Sequence, residues 1–139
     1  MKDTILKLAT GFHKLVFTVS NGRIAGRGSG MPVLMLTTTG RKSGEPRTTM
    51  LTSPLLDDGR IMLVASNGGD DRDPAWLHNL RADPKVQVTM EGRTVPMTAH
   101  VADATEKAEL WPRIVADHAN YAGYQAKTDR DIPVVVLEP

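Results

Sequence analysis

The chain has 139 residues, of which 40% are hydrophobic, and this suits one compact domain with a single core. Seventeen basic and sixteen acidic side chains give a net charge of +1, so the broad basic surplus that nucleic-acid binding draws on is missing. The sequence has no cysteine, which excludes disulfides, thiolate metal sites and cysteine nucleophiles. Its four histidines lie at spacings unlike those of paired metal ligands, so we predict no metal site.

The N-terminal segment, residues 1–22, has the pattern of an amphipathic helix. Charged residues interrupt its apolar stretches, which are therefore too short for a membrane span or a signal peptide, and this predicts an unexported, cytoplasmic protein. Two placements stay open, because the apolar face can dock on the protein's own core or lie on the inner surface of the cell membrane. The apolar positions are Ile5, Leu8, Phe12, Leu15, Val16 and Val19.

After a glycine-rich link, the pattern becomes strand-like, with short β-rich runs separated by turn residues. "DDGR" at 57–60 and "MEGRT" at 90–94 are hairpin signals, and they predict antiparallel pairing. We predict residues 23–139 to form one domain. The predicted strands are 32–39, 47–56, 61–66, 85–91, 94–102 and 133–138.

A short helix is predicted between the strands, at residues 74–82. Asp73 suits the N-cap, Pro74 suits the first helical position, and Pro84 prevents the helix from continuing. Its start follows closely on "VASNGG" at 64–69, where glycines let the backbone approach a ligand, and helix N-termini favour anions. The alternative is that these glycines serve only to reverse the chain and that the tryptophan of the helix belongs to the core.

A second helix is predicted to begin near residue 104. Asp103 with Glu106 three residues later resembles a capping box, and Leu110, Ile114 and Val115 would line one face. Pro112 is expected to kink this helix. The fold class is therefore α+β and mainly β: an antiparallel barrel or half-barrel with helices over its ends and open faces.

The turn between the first two predicted strands carries three cations and a hydroxyl: Arg41, Lys42, Arg47 and Ser43. Together with flexible glycines, these groups suit a phosphate or a carboxylate. An ordinary solvated hairpin tip would have a similar composition, so the turn taken alone leaves both interpretations open.

The ordered combination of "LTTTGRKSGEPRTT", "VASNGG", "DPAWLHNLRADPKVQV" and "YAGYQAKTDRDIPVVVLEP" resembles the deazaflavin-dependent nitroreductase family of actinobacterial oxidoreductases. The resemblance implies a split β-barrel like those of flavin reductases and FMN-binding proteins. It further implies an enzyme that binds coenzyme F420, an 8-hydroxy-5-deazaflavin, and passes its hydride to a small-molecule acceptor. Quinones, nitro compounds and activated alkenes are the acceptor classes that it suggests.

The resemblance also assigns residues to the coenzyme. The cationic turn would receive its phosphate and acidic tail, while a strand, a loop and a short helix would contact the deazaflavin. Two positions depart from relatives: Thr52 stands where several have an aromatic residue, and Asn67 replaces a basic one. The assigned coenzyme contacts are Arg41, Lys42, Ser43, Arg47, Thr48, Thr49, Met50, Leu51, Thr52, Val64, Ala65, Ser66, Asn67, Ala75, Trp76, Leu77, His78, Asn79 and Tyr121.

Three residues are predicted to act in catalysis. Tyr121 and Tyr124, three apart, would project to one side of a helical turn and match the family's substrate-pocket tyrosines. Ser66 is the third candidate, as a hydrogen-bond donor. Binding of FMN or haem and a purely binding role without catalysis remain alternatives, and a monomer is expected from the family.

Overall fold

The computed structural model describes residues 27–28 and 31–139; the predicted helix at 1–22 lies outside them. Eight antiparallel strands form one curled half-barrel sheet, in the order β1-β2-β6-β7-β8-β5-β4, with β3 paired to β2. The predicted fold class is therefore confirmed. The strands are β1 Arg27–Gly28, β2 Met31–Thr39, β3 Pro46–Thr52, β4 Leu55–Asp57, β5 Arg60–Val64, β6 Lys85–Met90, β7 Arg93–Val101 and β8 Val134–Glu138.

Alternate residues of the strands lie on the two faces of the sheet, as the two-residue period of a strand requires. In β8, Val135 and Leu137 belong to the larger core inside the half-barrel, whereas Val134 and Val136 belong to a second core on the outer face. All four side chains are fully buried. The sheet is thus covered on both faces, and its strands are held between two apolar layers.

One predicted strand, 47–56, is wrong as a single element. The structure divides it into β3 and β4 at Ser53 and Pro54. Proline has no N–H to donate to a strand ladder, and the Ser53 hydroxyl donates to the carbonyls of Leu55 and Met62, at 3.0 and 2.7 Å. The chain therefore bends here and passes from the β2 edge to the β5 edge. The other five predicted strands are confirmed to within two residues at each end.

Both predicted hairpins are confirmed by their registers. Asp57 pairs with Arg60 and Met90 pairs with Arg93, so each loop has two residues. Such two-residue loops match the twist of the strands that they join. The antiparallel pairing predicted from these turns follows directly.

Helix α1 spans Ala75–Ala82 and closes one end of the half-barrel, with Trp76, Leu77 and Leu80 in the inner core. It begins one residue later than predicted, because Pro74 occupies the N-cap in extended conformation. The proposed N-cap Asp73 is therefore wrong; its carboxylate instead pairs with arginine side chains.

Two further helices pack on the outer face, α2 at Ala104–Asp117 and α3 at Asn120–Ala126. Asp103 caps α2 as predicted, since its Oδ1 accepts a hydrogen bond from the Glu106 N–H at 2.8 Å. The Glu106 carboxylate does not return to the cap but pairs with His100. Helix α2 continues through Pro112 as one element. No helix within residues 31–139 is long and apolar enough to cross a membrane.

Candidate active site

A cavity of about 230 Å³ opens where β3, the loop after β5 and helices α1 and α3 meet. Eight of the residues assigned from the sequence line it, although they come from four separate segments. Met31, Gly68 and Asn120 complete the lining. The eight are Leu51, Thr52, Val64, Ser66, Asn67, Trp76, Tyr121 and Tyr124.

Ser66 lies at the edge of the inner core and is 8% exposed. Its carbonyl accepts hydrogen bonds from the Gly69 N–H, at 2.8 Å, and from Arg130, at 3.0 Å. Its hydroxyl has no hydrogen-bond partner within the part of the chain that the structure describes. A buried hydroxyl without a partner is costly, so this group is available to a bound molecule.

Tyr121 and Tyr124 lie on the same side of α3, as their spacing predicts, with ring centroids 5.8 Å apart in an edge-to-face arrangement. Tyr121 is buried, and its hydroxyl donates to the Met31 sulfur at 3.6 Å. Burial raises the pKa of the Tyr121 phenol, and the nearby Thr52 hydroxyl, which lowers it, opposes this only in part. The phenol therefore stays protonated and can donate a hydrogen bond at neutral pH.

The cationic turn connects β2 to β3. Gly40 closes it through two backbone hydrogen bonds of 2.8 Å, and a Cβ at Gly40 would lie 2.6 Å from the Ser43 hydroxyl oxygen. That oxygen accepts from the Glu45 N–H and from the Arg47 guanidinium, at 3.1 and 3.2 Å, so the Ser43 proton remains available to an anion. Arg41, like Lys42, is exposed beside it.

Asn79 joins this turn to helix α1. Its Oδ1 accepts from the backbone N–H of Arg41 at 3.1 Å, and its Nδ2 donates to the Thr38 hydroxyl at 3.2 Å. Both ends of the buried amide are thus engaged within the protein. Asn79 therefore holds the turn in place, and the direct coenzyme contact assigned to it stays a prediction.

Several other assigned residues lie away from the cavity. Leu77 is fully buried in the inner core, and Met50 packs with Val33 and Met35 on another part of the sheet. Ala65 is also fully buried, while its carbonyl accepts from Arg130. Thr48, Thr49, Ala75 and His78 do not line the cavity either.

Strand β3 spans the distance between the turn and the cavity. From Arg47 to Thr52 it extends roughly 17 Å, at about 3.3–3.4 Å per residue. Thr48 to Thr52 are all half-buried, and among the described residues β3 pairs with β2 alone. One edge of β3 thus has backbone donors and acceptors without a strand partner.

Residues that sequence reasoning missed are Met31, Asn120 and Arg130. Met31 lies at the end of the glycine-rich link, and Asn120 directly precedes Tyr121, so neither carries a signal of its own. Arg130 stands inside the "TDRDIP" motif that contributed to the resemblance. That motif was the available signal, but the hydrogen-bond partners of Arg130 lie about sixty residues away in the chain.

Comparison with known proteins assigns the chain to a class of enzymes. The model of the F420H(2)-dependent quinone reductase family matches residues 12–139. The F420H(2)-dependent quinone reductase Rv1261c of Mycobacterium tuberculosis is 42% identical over 129 residues, which cover 90% of this chain and 86% of that protein. The chain belongs to the F420H(2)-dependent quinone reductase family.

Solved structures agree with this assignment. An F420-H2 dependent reductase, FDR-A, matches with a TM-score of 0.69 and 39% identity, over 77% of this chain and 94% of that one. A second structure, described as a domain-swapped dimer, matches with a TM-score of 0.71 and 32% identity, over 94% of this chain and 98% of that one. The expected monomer therefore stays a prediction. The haem storage protein HutZ of Vibrio cholerae, 16% identical, shares the fold, with a TM-score of 0.53 over 77% of this chain and 80% of that one.

This chain is thus an F420-dependent oxidoreductase whose cofactor is coenzyme F420. The residues present fit that group in three ways: cations at one end of β3, the stretch from Thr48 to Thr52 with no second strand partner among the described residues, and a cavity at the other end whose Ser66 hydroxyl has no partner in the same part of the chain. The cavity is smaller than the roughly 300–1,000 Å³ typical of complete ligand sites. The cavity therefore has room for only part of a flat ring system.

Proposed function

We propose that this protein reduces a flat, electron-poor acceptor, in the first place a quinone, in the cavity bounded by Thr52, Ser66, Tyr121 and Tyr124. When bound, coenzyme F420 supplies the hydride. The observation that carries the proposal is the convergence of four sequence segments on one cavity that contains both an unpartnered buried hydroxyl and a protonated phenol. Family membership with quinone reductases supports the choice of acceptor.

The turn and β3 are proposed to bind and orient the coenzyme. Arg41, Lys42 and Arg47, with the Ser43 proton, would hold its phosphate and acidic tail through charge-assisted hydrogen bonds. The unpaired edge of β3 would hydrogen-bond along its length. Because these contacts lie at a distance from the cavity, they contribute to affinity equally before and during hydride transfer.

The hydroxyls around the cavity are proposed to stabilise the charge that develops on the acceptor. A hydride that reaches a quinone leaves negative charge on oxygen, and a donor in a site shielded from water stabilises that charge more strongly than it would in bulk solvent. Ser66 and Tyr121 offer such donors, both less than one-tenth exposed. Trp76 forms an apolar wall of the same cavity and is buried beside them.

The proposal is tested by following oxidation of reduced F420 in the presence of a quinone, an aromatic nitro compound and an enone. We expect the quinone to give the highest kcat/KM. Ser66→Ala and Tyr121→Phe should each lower kcat by about tenfold, equivalent to roughly 1.4 kcal/mol, with coenzyme affinity retained. Unchanged kcat in both variants would show that neither Ser66 nor Tyr121 acts as a donor. A higher kcat/KM for the nitro compound or the enone would show that a quinone is not the preferred acceptor.

A further inference from the structure

The guanidinium of Arg130 donates hydrogen bonds to four acceptors in the loop between β5 and α1. It donates to the backbone carbonyls of Ala65, Ser66 and Asp70 at 3.1, 3.0 and 3.0 Å, and to the Asp73 carboxylate at 2.8 Å. The Arg130 side chain is only 16% exposed. One side chain from the C-terminal part of the chain thus holds both ends of the loop that carries Ser66.

The segment that carries Arg130 is itself fixed to helix α3. Gln125, one turn after Tyr121, donates from its Nε2 to the Arg130 carbonyl at 2.7 Å and accepts from the Ile132 N–H at 2.9 Å. The Thr128 hydroxyl donates to Asp71 of the same loop at 2.7 Å. Helix α3 and the loop are therefore connected through residues 128–132.

The loop also touches α3 directly at Gly69. A Cβ there would lie 3.0 Å from the Lys127 side chain and 3.2 Å from the Tyr124 carbonyl oxygen. Gly69 has φ +86°, a conformation that side chains rarely adopt. The close approach leaves little room for the loop to shift toward α3.

We propose that Arg130 is a positioning residue that holds the loop of residues 65–73 in the conformation in which Ser66 lines the cavity. The inference rests on the proposed function, because it assigns Ser66 to that site, and it extends the assignment to a residue that does not line the cavity. A guanidinium is required because its planar fork reaches several carbonyls and a carboxylate at once, whereas the ammonium of lysine has three donors on one atom.

The first test measures hydrogen exchange of the loop amides in the coenzyme-free protein. In Arg130→Lys, the amides of residues 67–73 should exchange about tenfold faster or more, since several of the hydrogen bonds that close the loop are lost. The matched control is Arg113→Lys, because Arg113 also forms an ion pair, with Asp57, but lies away from the loop. Loop exchange in Arg113→Lys should equal that of the parent.

Exchange at the parental rate in Arg130→Lys, or a rise spread evenly over the chain, would overturn the proposal. If Arg130→Lys does not fold, Asp73→Asn decides the question, because it removes the charge that pairs with Arg130 at 2.8 Å, together with the longer pair to Arg81 at 3.8 Å, and leaves the three carbonyl contacts of Arg130. Faster exchange confined to residues 67–73 would then support the proposal, and exchange equal to the parent or raised everywhere would contradict it.

The second test separates this proposal from the proposed function. We expect Arg130→Lys to lower kcat for quinone reduction by about tenfold and to add little in the Ser66→Ala background, because residues acting as a unit are non-additive. If Ser66→Ala reduces quinones at the parental rate, the donor role of Ser66 is wrong. The hydrogen-exchange measurement on Arg130→Lys still tests whether Arg130 holds the loop. If the two effects on kcat multiply fully, Arg130 does not act through Ser66.

Discussion

Asn79 Oδ1 accepts a hydrogen bond from the backbone N–H of Arg41 at 3.1 Å, so a residue of helix α1 fixes the first position of the cationic turn. The same amide donates to Thr38 at the end of β2. Helix α1 also carries Trp76, which lines the cavity and lies three residues, less than one turn, before Asn79. The turn that we propose to bind phosphate and the cavity that we propose for the acceptor are thus attached to one short helix.

We expect Asn79→Ala to reduce stability and coenzyme affinity together. The substitution removes the acceptor of the Arg41 N–H and the donor to the buried Thr38 hydroxyl, and we expect the loss at Thr38 to cost about 1 kcal/mol. Urea unfolding measures the first effect and titration with F420 the second. Parental affinity for F420 in Asn79→Ala, together with a loss of stability, would contradict this role in coenzyme binding.

Lys42→Ala is expected to raise the dissociation constant of the coenzyme several-fold. This corresponds to about 1–2 kcal/mol for the loss of one charge-assisted contact. Because the turn is exposed, this difference should shrink as salt is raised. Isothermal titration at two salt concentrations checks both points. Arg93→Ala removes an exposed cation at the opposite end of the sheet and should leave affinity unchanged; a loss equal to that of Lys42→Ala would indicate a general charge effect.

Tyr121 should make the stability of the protein fall at alkaline pH. Its pKa is raised by burial, so the folded state keeps the proton after the unfolded state, with an ordinary pKa near 10, has begun to lose it. The unfolded state is therefore favoured increasingly as pH rises above about 10. Denaturant unfolding between neutral pH and pH 11 should show a smaller loss in Tyr121→Phe than in the parent, and parallel curves would show that Tyr121 does not titrate in this way.

Two glycines should respond in opposite directions to alanine. Gly69→Ala introduces a Cβ at φ +86° against Lys127 and Tyr124, and we expect it to cost about 1–3 kcal/mol. Gly123 lies within α3 with open space around its Cβ position, so Gly123→Ala should stabilise the protein by about 0.5–1 kcal/mol. Thermal unfolding of both variants tests this pair, and a neutral Gly69→Ala would show that the loop can move away from α3.

The fold was largely predictable because its signals are local. Turn residues, prolines and alternating strand patterns are signals carried by neighbouring residues. They identified five strands, the approximate bounds of α1 and the Asp103 cap of α2, although the N-cap assigned to Asp73 was wrong. The break at Ser53 and Pro54 was missed because the apolar pattern continues through it, and the bend depends on the carbonyl of Met62, which comes from another strand.

The candidate site was predictable only in part. Motifs in sequence order indicated Ser66 and the two tyrosines, and the structure brings them to one cavity. The roles of Asn79 and Arg130 could not be derived in the same way, since each is defined by partners 38 to 65 residues away in the chain. Contacts between distant segments leave no periodic trace in a sequence.

The unpaired edge of β3 also concerns the behaviour of the protein in concentrated solution. A row of free backbone donors and acceptors is a template for adding a strand from another molecule, and natural proteins protect such edges with proline and charge. Pro46 and Arg47 stand at the first two positions of β3 and supply both devices, but the half-buried stretch from Thr48 to Thr52 carries neither. Among the described residues this stretch has no second strand partner, so we expect the protein to self-associate less readily once the coenzyme is bound along it as proposed.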